Sequence, residues 1–338
     1  MVFKRLLGSL GVGGPAVDTV LEPGAVVPGG VLGGQVHLQG GDSDFVIEQI
    51  TLELVAHVEA EHEGGESTDT VTFHQQVIGG NFRLGEGERR SVPFTLVLPW
   101  ETPVTELYGQ GLGIALGVRT ELGIADAKDK GDMDPLPVRP LPVQEAVLEA
   151  LGQLGFGFRS ADLELGHIHG TGQQLPFYQE IELSPSPRYA EQLNELEVTF
   201  LAGPDVLEVI LEADKRGGFF SEGHDALNRY TVNHQDVEHT DWNAEVDGWI
   251  SRLLDHRSVS FHGEHFPSAS HAAPGHGEHH YGGHHEEHGH RSGSGMGTAV
   301  VAGAAGLAVG VAAGMVATEV VDEVGDFFEG DEADEDEG

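Results

Sequence analysis

Residues 271–290, HAAPGHGEHHYGGHHEEHGH, place eight histidines in twenty positions. Imidazole is the commonest metal-ligating side chain, and its ordinary pKa lies near neutrality. A tract this dense therefore raises two chemistries: capture of a divalent cation, and a charge that grows as pH falls towards 6. A specific metal site needs ligands held in place by further hydrogen-bonding partners. His285-Glu286-Glu287-His288 is one residue short of the H-E-x-x-H helical pair, and glycines lie on both sides of it. His279, His280, His284, His285 and His288 are thus the candidate ligands for loose binding of Zn²⁺, Ni²⁺ or Cu²⁺. No specific metal site and no cofactor are assigned.

Other chemistries are poorly supplied. The chain has no cysteine, which excludes disulfides, thiolate zinc sites, iron–sulfur clusters and cysteine nucleophiles. Neither a G-x-S-x-G nucleophile elbow nor a Walker loop occurs. Gly11, Gly13 and Gly14 precede Pro15, the wrong context for a phosphate cradle, and Gly111, Gly113 and Gly117 read as turn and bulge glycines. His167 and His169 would share one face of a strand, but no third ligand accompanies them. Glu48, Glu53 and Glu59 alternate with apolar residues and read as the solvated side of a sheet. No catalytic residue is assigned, and the expectation is a protein that is not an enzyme.

The formal net charge is −39, from 17 basic and 56 acidic residues in 338. Such a surface repels phosphate backbones and anionic lipid, so the expected partners are other proteins, through basic or apolar surfaces, or cations. Nucleic acid is excluded. The start, MVFKRLLGSLG, has too short an apolar run for an export signal; Phe3, Leu6, Leu7 and Leu10 fall instead at helical spacing. With no cysteine, this predicts a cytoplasmic location.

The elements that must carry any site are mostly strands. Period-2 alternation runs through Val36 and Leu38, through Ile50, Leu52, Leu54 and Val58, from Val71 to Phe73, from Val92 to Leu98, and from Leu116 to Leu122. Glycine pairs and acidic-glycine turns separate these runs. Four prolines in residues 134–142 stiffen a connector, and Val143, Val147, Ala150, Leu151 and Leu154 then follow helical spacing, predicting a helix at about 142–152 that Gly152 or Gly155 ends. Strand signals return at LPFYQEIEL (175–183). ELEVTFLAGPDVLEVILEAD (195–214) reads as two strands around Gly203-Pro204-Asp205, the second buried on both faces. Trp242, Val246, Trp249, Ile250 and Leu253 form one stripe of a helix at about 241–254, with Asp241 as its N-cap or first-turn acid. The pattern is mainly β: two antiparallel β-sandwich domains with a few short helices, at 1–130 and 131–256.

Several segments carry a family resemblance. FKRLLGSLGVGGPAVDTVLEPGAVVPGGVLGGQVHLQGG, VPFTLVLPWETPVT, RPLPVQEAVLEALGQLGF, LPFYQEIEL and the hairpin ELEVTFLAGPDVLEVILEAD, in this order, resemble the bacterial sporulation-control protein family of stage zero, member M (SpoOM). The resemblance covers roughly residues 1–255. It implies an arrestin-like pair of β-sandwiches, a cytoplasmic regulatory role in sporulation or development, and no known catalysis. It supplies no functional residues.

The tail divides into three pieces. Residues 257–295 lack apolar periodicity and are expected to be a disordered His/Gly-rich linker, bracketed by Arg257 and Arg291. Residues 296–318 are mostly Ala, Gly and Val, with no charge between Arg291 and Glu319. Gly306, Gly310 and Gly314 recur every four residues, a small-xxx-small stripe that would let helices pack closely in self-association or at a membrane. Residues 319–338 hold eleven acids and no base, a solvated tail. The leading function is a regulatory adaptor acting through protein–protein contacts. The alternative is a membrane-associated, metal-responsive or metal-storing protein that uses the histidine tract.

Overall fold

The computed structural model describes residues 13–62, 65–215 and 228–259. The tract candidates His279, His280, His284, His285 and His288, the stripe Gly306, Gly310 and Gly314, and the amphipathic N-terminus lie outside the described residues.

Strands β1 (Ala16–Leu21), β2 (Val31–Gln39), β3 (Phe45–His62), β4 (Gly65–Leu84) and β5 (Arg89–Val97) come first. Two short strands, β6 (Glu106–Leu107) and β7 (Gln110–Gly111), precede β8 (Leu116–Ile124) and β9 (Lys130–Pro135). Helix α1 (Pro142–Gln153) opens the second half, followed by β10 (Gly157–Leu165), β11 (Phe177–Ser184), β12 (Leu193–Ala202), β13 (Val206–Lys215), β14 (Asn228–Asn233) and α2 (Trp242–Val259).

In the first half two antiparallel sheets face each other, as alternating strands with one buried side must. One is β1-β2-β5; the other is built on β3, with β4 and β8 on its two sides and β9 beyond β8. Leu32, Val36 and Leu38 of β2, Leu52, Leu54 and Val58 of β3, and Leu116, Val118 and Leu122 of β8 are the inward positions and form one core.

The second half is a β10-β11-β12-β13-β14 antiparallel sheet, and among the described residues the layer over its inner side is supplied by α1 and α2. Val143, Val147, Ala150 and Leu151 of α1 and Val246, Trp249, Ile250 and Leu253 of α2 pack with Ile181, Val198, Val209 and Leu211. Local chemistry sets the helix ends. The Leu141 N–H donates to Gln144 Oε1 at 2.8 Å at the start of α1, and Gly155, at φ +91°, supplies the left-handed residue beyond its end. Asp241 Oδ1 accepts the Ala244 N–H at 3.2 Å, capping α2. Trp249 stacks on Tyr230 with ring centroids 4.7 Å apart and anchors this core. In β13, Leu207, Val209, Ile210 and Leu211 are all buried, so the strand is covered on both faces, although Val206, which belongs to the same apolar run, is exposed at its start.

The halves share one sheet. β10 lies parallel to β3, with Glu164 opposite Glu59, so the order β14-β13-β12-β11-β10-β3-β8-β9 is continuous. Leu163 and Phe177 from the second half enter the first core, where Phe177 meets Phe73 edge-on at 5.5 Å. Gln179 adds a polar clamp: its Oε1 accepts the Val104 N–H at 2.9 Å, and its Nε2 donates to the Val104 carbonyl at 2.8 Å. Trp100 reaches the second core, and Glu101 accepts the N–H groups of Gln174 and Leu175 at 2.8 and 2.9 Å.

Candidate functional site

On β10 and β11 the residues that alternate with the core face the opposite way, onto the outer side of the long sheet. Register determines who meets whom there. Asp162 stands opposite Glu180, and Glu180 opposite Thr199; Ser160 stands opposite Glu182, Glu182 opposite Glu197, and Glu197 opposite Glu212. Glu164 is opposite Tyr178 on one side and Glu59 on the other. Five strands therefore bring their carboxylates to one surface. Oxygens of Asp162, Glu164 and Glu180 all lie within 4.8 Å of one another.

Like charges this close, on a partly buried face, disfavour ionisation. Burial, reinforced by Glu59, Glu164, Glu182 and Glu197, pushes the Asp162 carboxyl up to about 7. Burial, then Glu197, Asp162, Glu164 and Glu212, pushes Glu180 up to about 8. The Tyr178 phenol between them is raised for the same reasons, burial first. Asp162 Oδ1 is buried and accepts no hydrogen bond. Cations stand at the margins: Arg159 pairs with Glu195 and reaches Glu182 at 3.7 Å, while Arg229 reaches Glu208 at 3.6 Å. Ser160 Oγ donates to Glu182 at 2.5 Å.

A small cavity of about 50 Å³ opens where the halves meet, lined by His57, Glu59, Ala161, Asp162, Leu163 and the backbone turn at 113–115. It has room for a few waters, far below the several hundred Å³ of a typical substrate pocket.

Two sequence expectations need correction. Glu53, expected on a solvated face, is only 7% exposed. Its ladder neighbours are Gln75 on β4 and Arg119 on β8, which cover it: Gln75 donates to Oε1 at 2.9 Å, and Arg119 Nε to Oε2 at 2.8 Å. Its partner waits on another strand, which alternation alone does not show. His167 and His169 are not in a strand; β10 stops at Leu165, and both are exposed in a turn where the His169 carbonyl accepts from Arg229 at 3.4 Å. Nothing in the sequence pattern singles out the acids at 162, 164 and 180. Each lies in an alternating strand and looks like any solvated residue until register is known.

The outer face is thus the distinctive surface of the described chain, carried by an architecture that can be compared with known proteins. A family model described as SpoOM protein matches residues 3–217. The chain belongs to the SpoOM family. The sporulation-control protein spo0M of Bacillus subtilis (strain 168) is 35% identical over 261 residues, covering 75% of this chain and 97% of that protein. The crystal structure of Spo0M, sporulation control protein, from Bacillus subtilis superposes with a TM-score of 0.63 at 33% identity, covering 72% of this chain and 99% of that one. The SpoOM fold is mainly β and arrestin-like, as the five motifs imply. Among the described residues, no helix is long and apolar enough to cross a membrane.

Proposed function

We propose that this SpoOM-family chain is a non-enzymatic regulator in sporulation or developmental control that works through protein–protein contacts. The acidic outer face of β10–β13 is its docking surface, and a basic protein surface is its partner. The family supports the regulatory role. The partner chemistry rests on the geometry of this face: burial first, and then the acids brought together around them, hold Asp162 and Glu180 partly protonated near neutral pH. An incoming Lys or Arg side chain relieves that repulsion and favours the ionised form, so docking is rewarded by charge complementarity. On this reading the folded body, 1–130 and 131–256, holds the interface, and the segments after 256 tether it, associate with a membrane or with each other, or bind divalent metal loosely.

The test has two arms. Deletion of the gene in its host, scored by spore counts, is complemented by the wild-type gene. The full-length protein is then compared with a Glu197→Lys/Glu212→Lys variant in co-purification of a partner identified with the wild type, and in complementation. Loss of partner and of complementation together, with the fold intact by circular dichroism, supports the reading. A variant that keeps both removes the face from the function, and a deletion without a sporulation defect removes the role.

A further inference from the structure

The strand pairing that joins the two halves is made of acids. Glu59 of β3 faces Glu164 of β10 across the parallel junction, and Asp162 and Glu180 stand beside Glu164 on the same face. The small cavity lies along this junction, between Glu59 and Asp162. Asp162 Oδ1 is buried there and has no donor. A buried oxygen without a donor is costly when neutral and more so when charged.

The charged and titratable groups around Asp162 come from every neighbouring strand. β3 contributes His57 and Glu59, and β10 itself Glu164. Tyr178, Glu180 and Glu182 belong to β11, Glu197 to β12 and Glu212 to β13. The cation of this strand, Arg159, is engaged with Glu182 and Glu195 at the far end of β10. The 113–115 turn that closes the cavity brings no ionisable side chain. The Asp162 carboxyl is therefore partly buried and faces the acids Glu59, Glu164, Glu182 and Glu197.

We propose that the β3–β10 junction is a proton-operated catch: protonated, its acids let the two strands close into one sheet, and ionised, they drive the strands apart locally. Separation disturbs Leu163 of β10, which packs in the first core, while the rest of each core stays in place. The Gln179–Val104 clamp and the Phe73–Phe177 contact hold β11 in place while the strand edge opens. Two facing strand edges, with unpaired N–H and C=O groups, become available when it does.

The sign follows from linkage. Asp162 and Glu180 bind protons more tightly folded, at about 7 and about 8, than an ordinary carboxyl does at about 4. The closed junction is unpenalised below about pH 4 and loses stability as pH rises through about 7 to 8. The catch operates whether or not the acidic face binds a partner.

Hydrogen exchange of the full-length protein, followed by mass spectrometry from pH 6 to pH 9 and corrected for intrinsic exchange, reads the catch directly. Protection of amides at 56–60 and 160–165 should fall roughly tenfold or more between these limits, while β2 and β5 hold theirs. In Asp162→Asn/Glu180→Gln the pH dependence should vanish. Constant protection in the wild type, an equal fall in β2 and β5, or an unchanged dependence in the variant each overturns the proposal. Should the variant not fold, carboxyl ¹³C titration of the wild type decides: near-neutral midpoints for both groups support the catch, and midpoints near 4 overturn it.

Discussion

Gln179 offers the sharpest test of how the halves are held. Its amide satisfies both backbone groups of Val104, donating to the carbonyl at 2.8 Å and accepting the N–H at 2.9 Å. Val104 is only 2% exposed. Gln179→Ala leaves a donor and an acceptor without partners. A buried group left unsatisfied costs about 1–3 kcal/mol, and some water reaches this partly buried clamp. The expected loss is therefore about 2–4 kcal/mol for the pair. Gln179→Glu separates the two bonds: the carboxylate still accepts the Val104 N–H but presents charge to the Val104 carbonyl. It should destabilise at least as much as alanine at neutral pH, and less as pH falls and the carboxyl regains a proton to donate. Urea unfolding followed by tryptophan emission measures both. Trp100 lies four residues before Val104 and packs on the second core, so its emission should also move in the native baseline. A loss below about 0.5 kcal/mol, the level of an ordinary surface substitution, would refute the idea that this clamp joins the halves. So would a glutamate variant indistinguishable from wild type at pH 7.

Two further expectations concern the cores that position the acidic face. Trp249→Ala removes a side chain that is 1% exposed, stacks on Tyr230 and donates from Nε1 to Glu245 at 2.8 Å; thermal or urea unfolding should show a loss of about 3–5 kcal/mol, and a loss under about 1 kcal/mol would mean the core refills. Gly34→Ala places a Cβ 2.5 Å from Phe94 Cζ and 2.7 Å from the Val20 carbonyl oxygen; the ring and strand must shift, costing about 1–3 kcal/mol in the same assay, whereas an unchanged midpoint would show that Phe94 turns away freely.

What could be read in advance follows the range of the interactions. The stripe Val143, Val147, Ala150 and Leu151 states a helix face without help from distant residues, and those four side chains are buried in α1. Val209, Ile210 and Leu211 announce burial on both faces for the same reason, and all three are buried, whereas Val206 at the start of the same run is 37% exposed. Gly203-Pro204-Asp205 announces a turn, and β12 and β13 pair antiparallel around it. Glu53 behaves differently. Its alternation places it on the side away from the core correctly, but whether that side is wet depends on Arg119 and Gln75, which lie 66 and 22 residues away.

The acidic face is the extreme case. A net charge of −39 and the family motifs are properties of the chain read in order, and they suffice for a mainly β regulatory protein. They say nothing of which acids meet. Glu59, Asp162, Glu180, Glu197 and Glu212 come together only because β3 through β13 pair in one register, and a slip of one residue would turn each acid to the other face. Side-chain period is local and is written in the sequence. Proximity between strands, the burial it brings and the pKa values that burial sets are cross-strand quantities, and only the tertiary structure decides them.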